Sequence, residues 1–127
     1  MFKPSTAFSG FSIRDTGAAK TFYSETLGLK VKDGKEPGTL EVTLPGGTIL
    51  FLYPKPDHAP ATFTVLNFVV DDVEAAVDEL NRCGVVTKIY DREDLPTDSK
   101  GIMRGHGPDI AWFRDPSDNV LSVLKPT

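Results

Sequence analysis

Hydrophobic and polar positions alternate along two stretches of the chain in the same way. Residues 7–14 ("AFSGFSIR") and 63–70 ("FTVLNFVV") read as strands, with Phe11, Ile13, Phe68 and Val70 on matching positions. Each run leads to an acidic residue suited to cap a helix, Asp15 in the first case and Asp71 or Asp72 in the second. Asp71 and Glu74 also have the spacing of a capping box. Helical periodicity follows. Ala18, Ala19, Phe22, Tyr23 and Leu27 form one apolar stripe, and Val73, Ala76, Val77 and Leu80 form another. Gly28 and Gly84 stand where a left-handed residue ends a helix. Short strands are expected over 29–33, 38–44 and 48–53, and again over 85–90, 109–114 and 119–125. "LPGGT" supplies a hairpin turn in the first set and Asp-Pro-Ser-Asp-Asn in the second.

The order is therefore βαβββ, twice. Asp15 aligns with Asp72, Ala18-Ala19 with Ala75-Ala76, and Phe11 with Phe68; "GTILFLYP" aligns with "NVLSVLKP" on a closing proline. We read one α+β domain made of two tandem modules, about 1–54 and 63–127. "PKPDHAPAT" is a Pro-rich linker over 54–62.

Composition narrows the function classes. The 127 residues are 39% hydrophobic and 25% charged, which is ordinary for a globular domain able to bury a core. The formal net charge of −4, without a Lys/Arg cluster, argues against a nucleic-acid partner and is compatible with a neutral or cationic ligand. No apolar run approaches the roughly 18 residues that a membrane span needs. The single cysteine, Cys83, permits no intrachain disulfide and suits a reducing compartment, so a cytoplasmic location is expected.

Three motifs, in order, resemble the vicinal oxygen chelate superfamily, which includes glyoxalase I, extradiol dioxygenases, fosfomycin-resistance transferases and bleomycin-binding resistance proteins. They are "FSIRDTGAAKTFYSETLGLKV", "FVVDDVEAAVDELNRCGV" and "DIAWFRDPSDNVLSV". The resemblance implies an open, curved mixed sheet around a cavity, with helices on the convex side. Phe11, Ile13, Leu66, Phe68 and Val70 would then face the helices, and Phe8, Gly10, Ser12, Val65, Asn67 and Val69 the cavity. Metal-dependent members take ligands, typically His and Glu, from the first and last strand of each module. Counting from matched motifs places those positions at Phe8, Leu50, Val65 and Ser122. Three of these side chains have no lone pairs for a metal, and a neutral serine hydroxyl is a poor sole anchor. They would instead line a dry cavity, or simply close the core.

Other candidates carry two readings each. Glu41 falls on the cavity parity of "TLEVTLP", unless it sits at an exposed sheet end. The long stretch from Asp91 to Asp115 contains Arg104, able to hold a carboxylate or phosphate, His106, a possible acid or base, and Trp112, able to stack on a flat ligand. The plainer reading is a mobile surface connection. His58 and His106 both lie in expected loops, with no recognised metal-ligand spacing.

The resulting expectation is a small-molecule-binding protein without metal or other cofactor, a homodimer like its resistance-protein relatives. Its cavity candidates are Phe8, Ser12, Glu41, Leu50, Val65, Asn67, Arg104, His106, Trp112 and Ser122. The alternative is a lyase, isomerase or dioxygenase-like enzyme acting on a small oxygenated substrate.

Overall fold

A computed structural model describes residues 1–127, which divide into two compact units, 1–59 and 60–127. Each unit is a βαβββ module built on a four-stranded mixed sheet. No helix is long and apolar enough to cross a membrane.

In the first unit, β1 (Ser9–Ile13) enters helix α1 (Thr16–Thr21). Asp15 caps that helix, its Oδ1 accepting from the Ala18 N–H at 2.9 Å. The helix widens into a π turn over Phe22–Thr26, closed by Leu27 N–H to Phe22 O at 2.9 Å. Both Phe22 and Tyr23 are buried there, their rings edge to face at 5.2 Å. Strands β2 (Lys30–Asp33), β3 (Leu40–Thr43) and β4 (Ile49–Pro54) follow, in the spatial order β1-β4-β3-β2. β1 and β4 are parallel and the other pairs antiparallel. Alternation then sorts the side chains. Leu40, Val42, Leu50 and Leu52 form the core with Ile13, Ala19 and Tyr23.

The second unit repeats the plan with β5 (Thr64–Val69), α2 (Val73–Arg82), β6 (Ile102–Met103), β7 (Asp109–Arg114) and β8 (Val120–Lys125), in the order β5-β8-β7-β6. Asp72, not Asp71, caps α2, its Oδ1 accepting from Ala75 N–H at 3.0 Å. Glu74 therefore makes no capping box with Asp71 and turns to Arg104 instead. Ala111, Phe113, Leu121 and Val123 pack with Val73 and Val77 of the helix. The turn before β8 is organised by buried Asp115. Its Oδ1 accepts from the N–H groups of Ser117 (2.8 Å) and Asn119 (3.0 Å), which satisfies donors that the turn would otherwise strand.

The strand expected over 85–90 does not form; the fourth strand is the two-residue β6 instead. Side chains take over the bonds that a ladder would make. Thr87 Oγ1 donates to Lys100 O at 2.7 Å and accepts from Asn81 Nδ2 at 3.0 Å, while Lys88 Nζ donates to Thr97 O at 3.0 Å. Gly101 makes this packing possible. Its φ is +87°, and a Cβ there would lie 2.0 Å from the Thr87 carbonyl oxygen. Gly101→Ala is expected to destabilise the protein by about 2–4 kcal/mol, read from the denaturant midpoint, because it combines left-handed strain with a backbone collision.

Candidate functional site

Each sheet has one face packed in a core; the opposite face is open on the first sheet and largely covered on the second. On the first sheet, the register places Gly10, Phe51, Glu41 and Lys32 in one row across the open face. Phe8 meets Phe51 edge on at 6.1 Å, and Tyr53 stacks on Phe51 at 5.9 Å. Gly10 leaves room for this ladder, since a Cβ at that position would lie 2.9 Å from Phe51 O. A cavity of 630 Å³ opens above it, lined by Phe8, Phe51, Ile49, Glu41, Lys35 and Glu36 among others. Its floor is aromatic and aliphatic. Phe8 remains 69% exposed, an apolar surface that water covers at a cost. Glu41 is no exposed end: it lies within β3, its side chain 30% exposed, with Lys32 Nζ 3.8 Å away.

Leu50 is not on this face. It is 1% exposed and shares the core with Leu52, Leu40 and Val42. Aligning the last strands on their closing prolines shifts the comparison by one residue. Gly10 pairs with Phe51, whereas its counterpart Asn67 pairs with Ser122, so Phe51 is the true equivalent of Ser122. A one-residue slip exchanges the two faces of a strand. The run "ILFLYP" held the signal, because Leu50 and Leu52 are the pair that matches the buried parity of Leu40 and Val42.

On the corresponding face of the second sheet, Asn67, Ser122 and Trp112 form the equivalent row. Ser122 is fully buried, and its hydroxyl donates to Asn67 Oδ1 at 2.5 Å. Trp112 Nε1 donates to Thr64 Oγ1 at 3.1 Å, and Tyr90 covers the indole edge to face at 5.2 Å. The indole is thus only 8% exposed. Val65 occupies a bulge, where the register against β8 shifts between Thr64 and Leu66.

Arg104 stands among carboxylates rather than poised for a ligand. Nη2 donates to Glu74 Oε1 at 2.8 Å, with Asp98 at 3.5 Å and Asp109 at 3.7 Å. Lys100 adds contacts to Asp78 (2.8 Å) and Glu74 (3.5 Å). The stretch read as a mobile connection is thereby tied to α2 along this side. His106 is exposed in the loop between β6 and β7. His58 is not a solvated loop residue: its Nδ1 lies 2.6 Å from Ser12 Oγ in a half-buried contact.

No three His, Cys, Asp or Glu side chains converge in a geometry that could hold a metal ion. With the register corrected, the positions that the resemblance assigned to ligands are Phe8 and Phe51 in one module and Val65 and Ser122 in the other. That donor set, one neutral hydroxyl, does not fit a divalent transition metal.

The family model of the Glyoxalase/Bleomycin resistance protein/Dioxygenase superfamily matches residues 9–123. No curated protein sequence matches the chain. Among solved structures, TnmS3, an antibiotic binding protein from Streptomyces sp. CB03234, is 26% identical, with 99% of this chain and 100% of that chain covered and a TM-score of 0.71. A glyoxalase/bleomycin resistance protein from the same Streptomyces strain is also 26% identical, covering 94% of this chain and 100% of its own, with a TM-score of 0.63. The fosfomycin resistance protein FosX from Listeria monocytogenes shares the fold at 12% identity, with coverage of 99% and 96% and a TM-score of 0.70.

Two outcomes follow from this geometry. Leu50→Ala should cost about 2–5 kcal/mol in unfolding free energy and Phe51→Ala clearly less, because only Leu50 leaves a closed cavity behind. Equal losses would refute the corrected register. The second concerns Asp98. Burial pushes its carboxyl upward, but the N–H groups of Ile102 and Lys100 and the Arg104 charge outweigh that, and the pKa is held below the ordinary value. A lowered folded pKa means that this contribution is present above about pH 4 and is lost as pH falls through the folded value. The stability gap between the unmodified protein and Asp98→Asn, measured by urea unfolding, should therefore narrow below about pH 4.

Proposed function

The chain belongs to the Glyoxalase/Bleomycin resistance protein/Dioxygenase superfamily, and on that premise we propose that it is a metal-free binding protein that captures a small organic molecule without transforming it. The observation that carries this reading is the 630 Å³ cavity on the first module. Its floor is built from Phe8 and Phe51, at positions where catalytic relatives are expected to place metal ligands. Aromatic rings there turn a coordination site into a surface that gains free energy by excluding water. Glu41 and Glu36 on the wall, with Lys35, favour a neutral or cationic ligand over an anionic one. The likeness to an antibiotic binding protein along almost the whole chain supports the same class of function.

The superfamily's reactions draw on a metal that binds neighbouring substrate oxygens and stabilises the charge that develops on them. Phe8, Phe51, Val65 and Ser122 offer no replacement of comparable strength. Binding needs no such group. It needs apolar area, shape and one or two polar contacts for orientation.

The test is a calorimetric and thermal-shift screen against neutral and cationic aromatic compounds. A hit should lose about tenfold in affinity, roughly 1.4 kcal/mol, in Phe8→Ala and again in Phe51→Ala. Glu41→Gln should weaken cationic hits and leave neutral ones unchanged. Purified protein should carry no stoichiometric Zn, Ni, Mn or Fe, and a chelator should leave Tm unmoved. A stoichiometric metal with a chelator-sensitive Tm would overturn the reading in favour of catalysis.

A further inference from the structure

Trp112 holds in the second module the place that Glu41 holds in the first. Each stands on the third strand of its module and pairs with the last, Trp112 opposite Ser122 and Glu41 opposite Phe51. In the first module that row floors an open cavity. In the second, a ring from the chain itself lies on it: Tyr90 meets the indole edge to face, the centroids 5.2 Å apart.

The segment that carries Tyr90 is fixed at both ends. Buried Thr87 donates through Oγ1 to Lys100 O at 2.7 Å. The Asp98 N–H donates to Ile102 O at 2.9 Å, and Asp98 Oδ1 accepts from the Ile102 N–H at 2.9 Å. Between these ends the chain forms a small hairpin, and no residue from 88 to 98 is buried. Its polar bonds close on one another. Lys88 Nζ donates to Thr97 O at 3.0 Å, Thr97 Oγ1 donates to Tyr90 O at 2.5 Å, the Leu95 N–H donates to Arg92 O at 3.1 Å, and Arg92 Nε donates to Asp94 Oδ1 at 2.9 Å. The hairpin can therefore lift without breaking its own bonds, and a stretch with exposed bonds and no buried group opens more easily than the domain unfolds. Its aromatic contact with the sheet is Tyr90 on Trp112. Beneath that contact the polar atoms are already paired, Trp112 Nε1 with Thr64 Oγ1 and Ser122 Oγ with Asn67 Oδ1. What lies on the indole is thus recognised by ring contact rather than by hydrogen bonds.

We propose that residues 88–97 form a lid, latched by Tyr90 on Trp112, and that its release admits a small neutral planar aromatic molecule to the seat that the tyrosine ring vacates. Tyr90 is an internal competitor for that seat. A ligand's apparent affinity is its intrinsic affinity reduced by the fraction of molecules with the lid open. The seat belongs to the second unit and does not rest on the cavity of the first.

Trp112 is the chain's only tryptophan, so nitrogen-labelled protein gives a single indole N–H resonance. The probe is p-cresol, the tyrosine side chain without its backbone. The resonance should shift saturably in the unmodified protein, and Tyr90→Ala should bind p-cresol about tenfold tighter, as an open fraction of roughly 10% requires. Tyr90→Phe, which keeps the ring, should behave as the unmodified protein does. Cyclohexanol, similar in size but not planar, should bind Tyr90→Ala more weakly than p-cresol. Hydrogen exchange needs no substitution. The indole proton should exchange through the lid alone, at a rate that stays flat in low urea, while the amide of buried Phe113 exchanges with urea-dependent global unfolding. An indole proton that exchanges only in step with Phe113 would overturn the lid. A resonance unmoved by p-cresol in Tyr90→Ala would overturn the seat, and equal affinities in Tyr90→Ala and the unmodified protein would overturn the competition between ring and ligand.

Discussion

In each module the last strand lies between the first and the third, and everything else depends on the register of that central strand. Gly10 opposite Phe51, and Asn67 opposite Ser122, decide which side chains enter the core and which remain on the open face. Side chains alternate along a strand, so a register error of one residue would bury the aromatic ladder and expose the leucines. The free energy at stake is that of several fully buried aliphatic side chains at once, on the order of 1.5–3 kcal/mol each. That sum holds the register, and the open face is whatever the core did not claim.

The two open faces are spent differently. The first module keeps an apolar floor, with Phe8 left exposed beside the Phe51–Tyr53 stack. In the second, the polar atoms satisfy one another: Ser122 donates to Asn67, and Trp112 donates to Thr64 under the cover of Tyr90. A buried hydroxyl without an acceptor would cost about 1–3 kcal/mol, and Asn67 removes that penalty. The same βαβββ plan thus yields one open apolar face and one that is largely self-contained.

Charge is organised by the same economy of position. Arg104 and Lys100 face the carboxylates Glu74, Asp78, Asp98 and Asp109, so the irregular stretch beside α2 is held by ion pairs instead of a strand ladder. Exposed pairs of this kind are individually weak, roughly 0–1 kcal/mol, and act here by fixing a path. In the turn after β4, Lys55 is likewise paired, with Asp57 at 2.8 Å.

Much of this was legible in the sequence, because it is local. The βαβββ order follows from alternation, helical periodicity and Asp caps. The poor fit of the four positions that the resemblance assigned to ligands follows from residue type, since neither phenylalanine, leucine, valine nor serine becomes a good ligand through folding. What the sequence could not determine was set by contacts between distant residues. Leu50 and Phe51 are both apolar, and only pairing with β1 and β3 separates core from cavity. Residues 85–90 have strand-like composition, yet Thr87 packs against Gly101 and its hydroxyl bonds the Lys100 carbonyl and the Asn81 amide. Arg104 reads as a free ligand-holding group until α2 brings Glu74 to it. His58 reads as a solvated loop residue until the turn returns it to Ser12, 46 positions away. Periodicity and residue chemistry are properties of neighbours along the chain; register, ion-pair partners and cavity linings depend on which distant segments meet, and only the tertiary structure decides that.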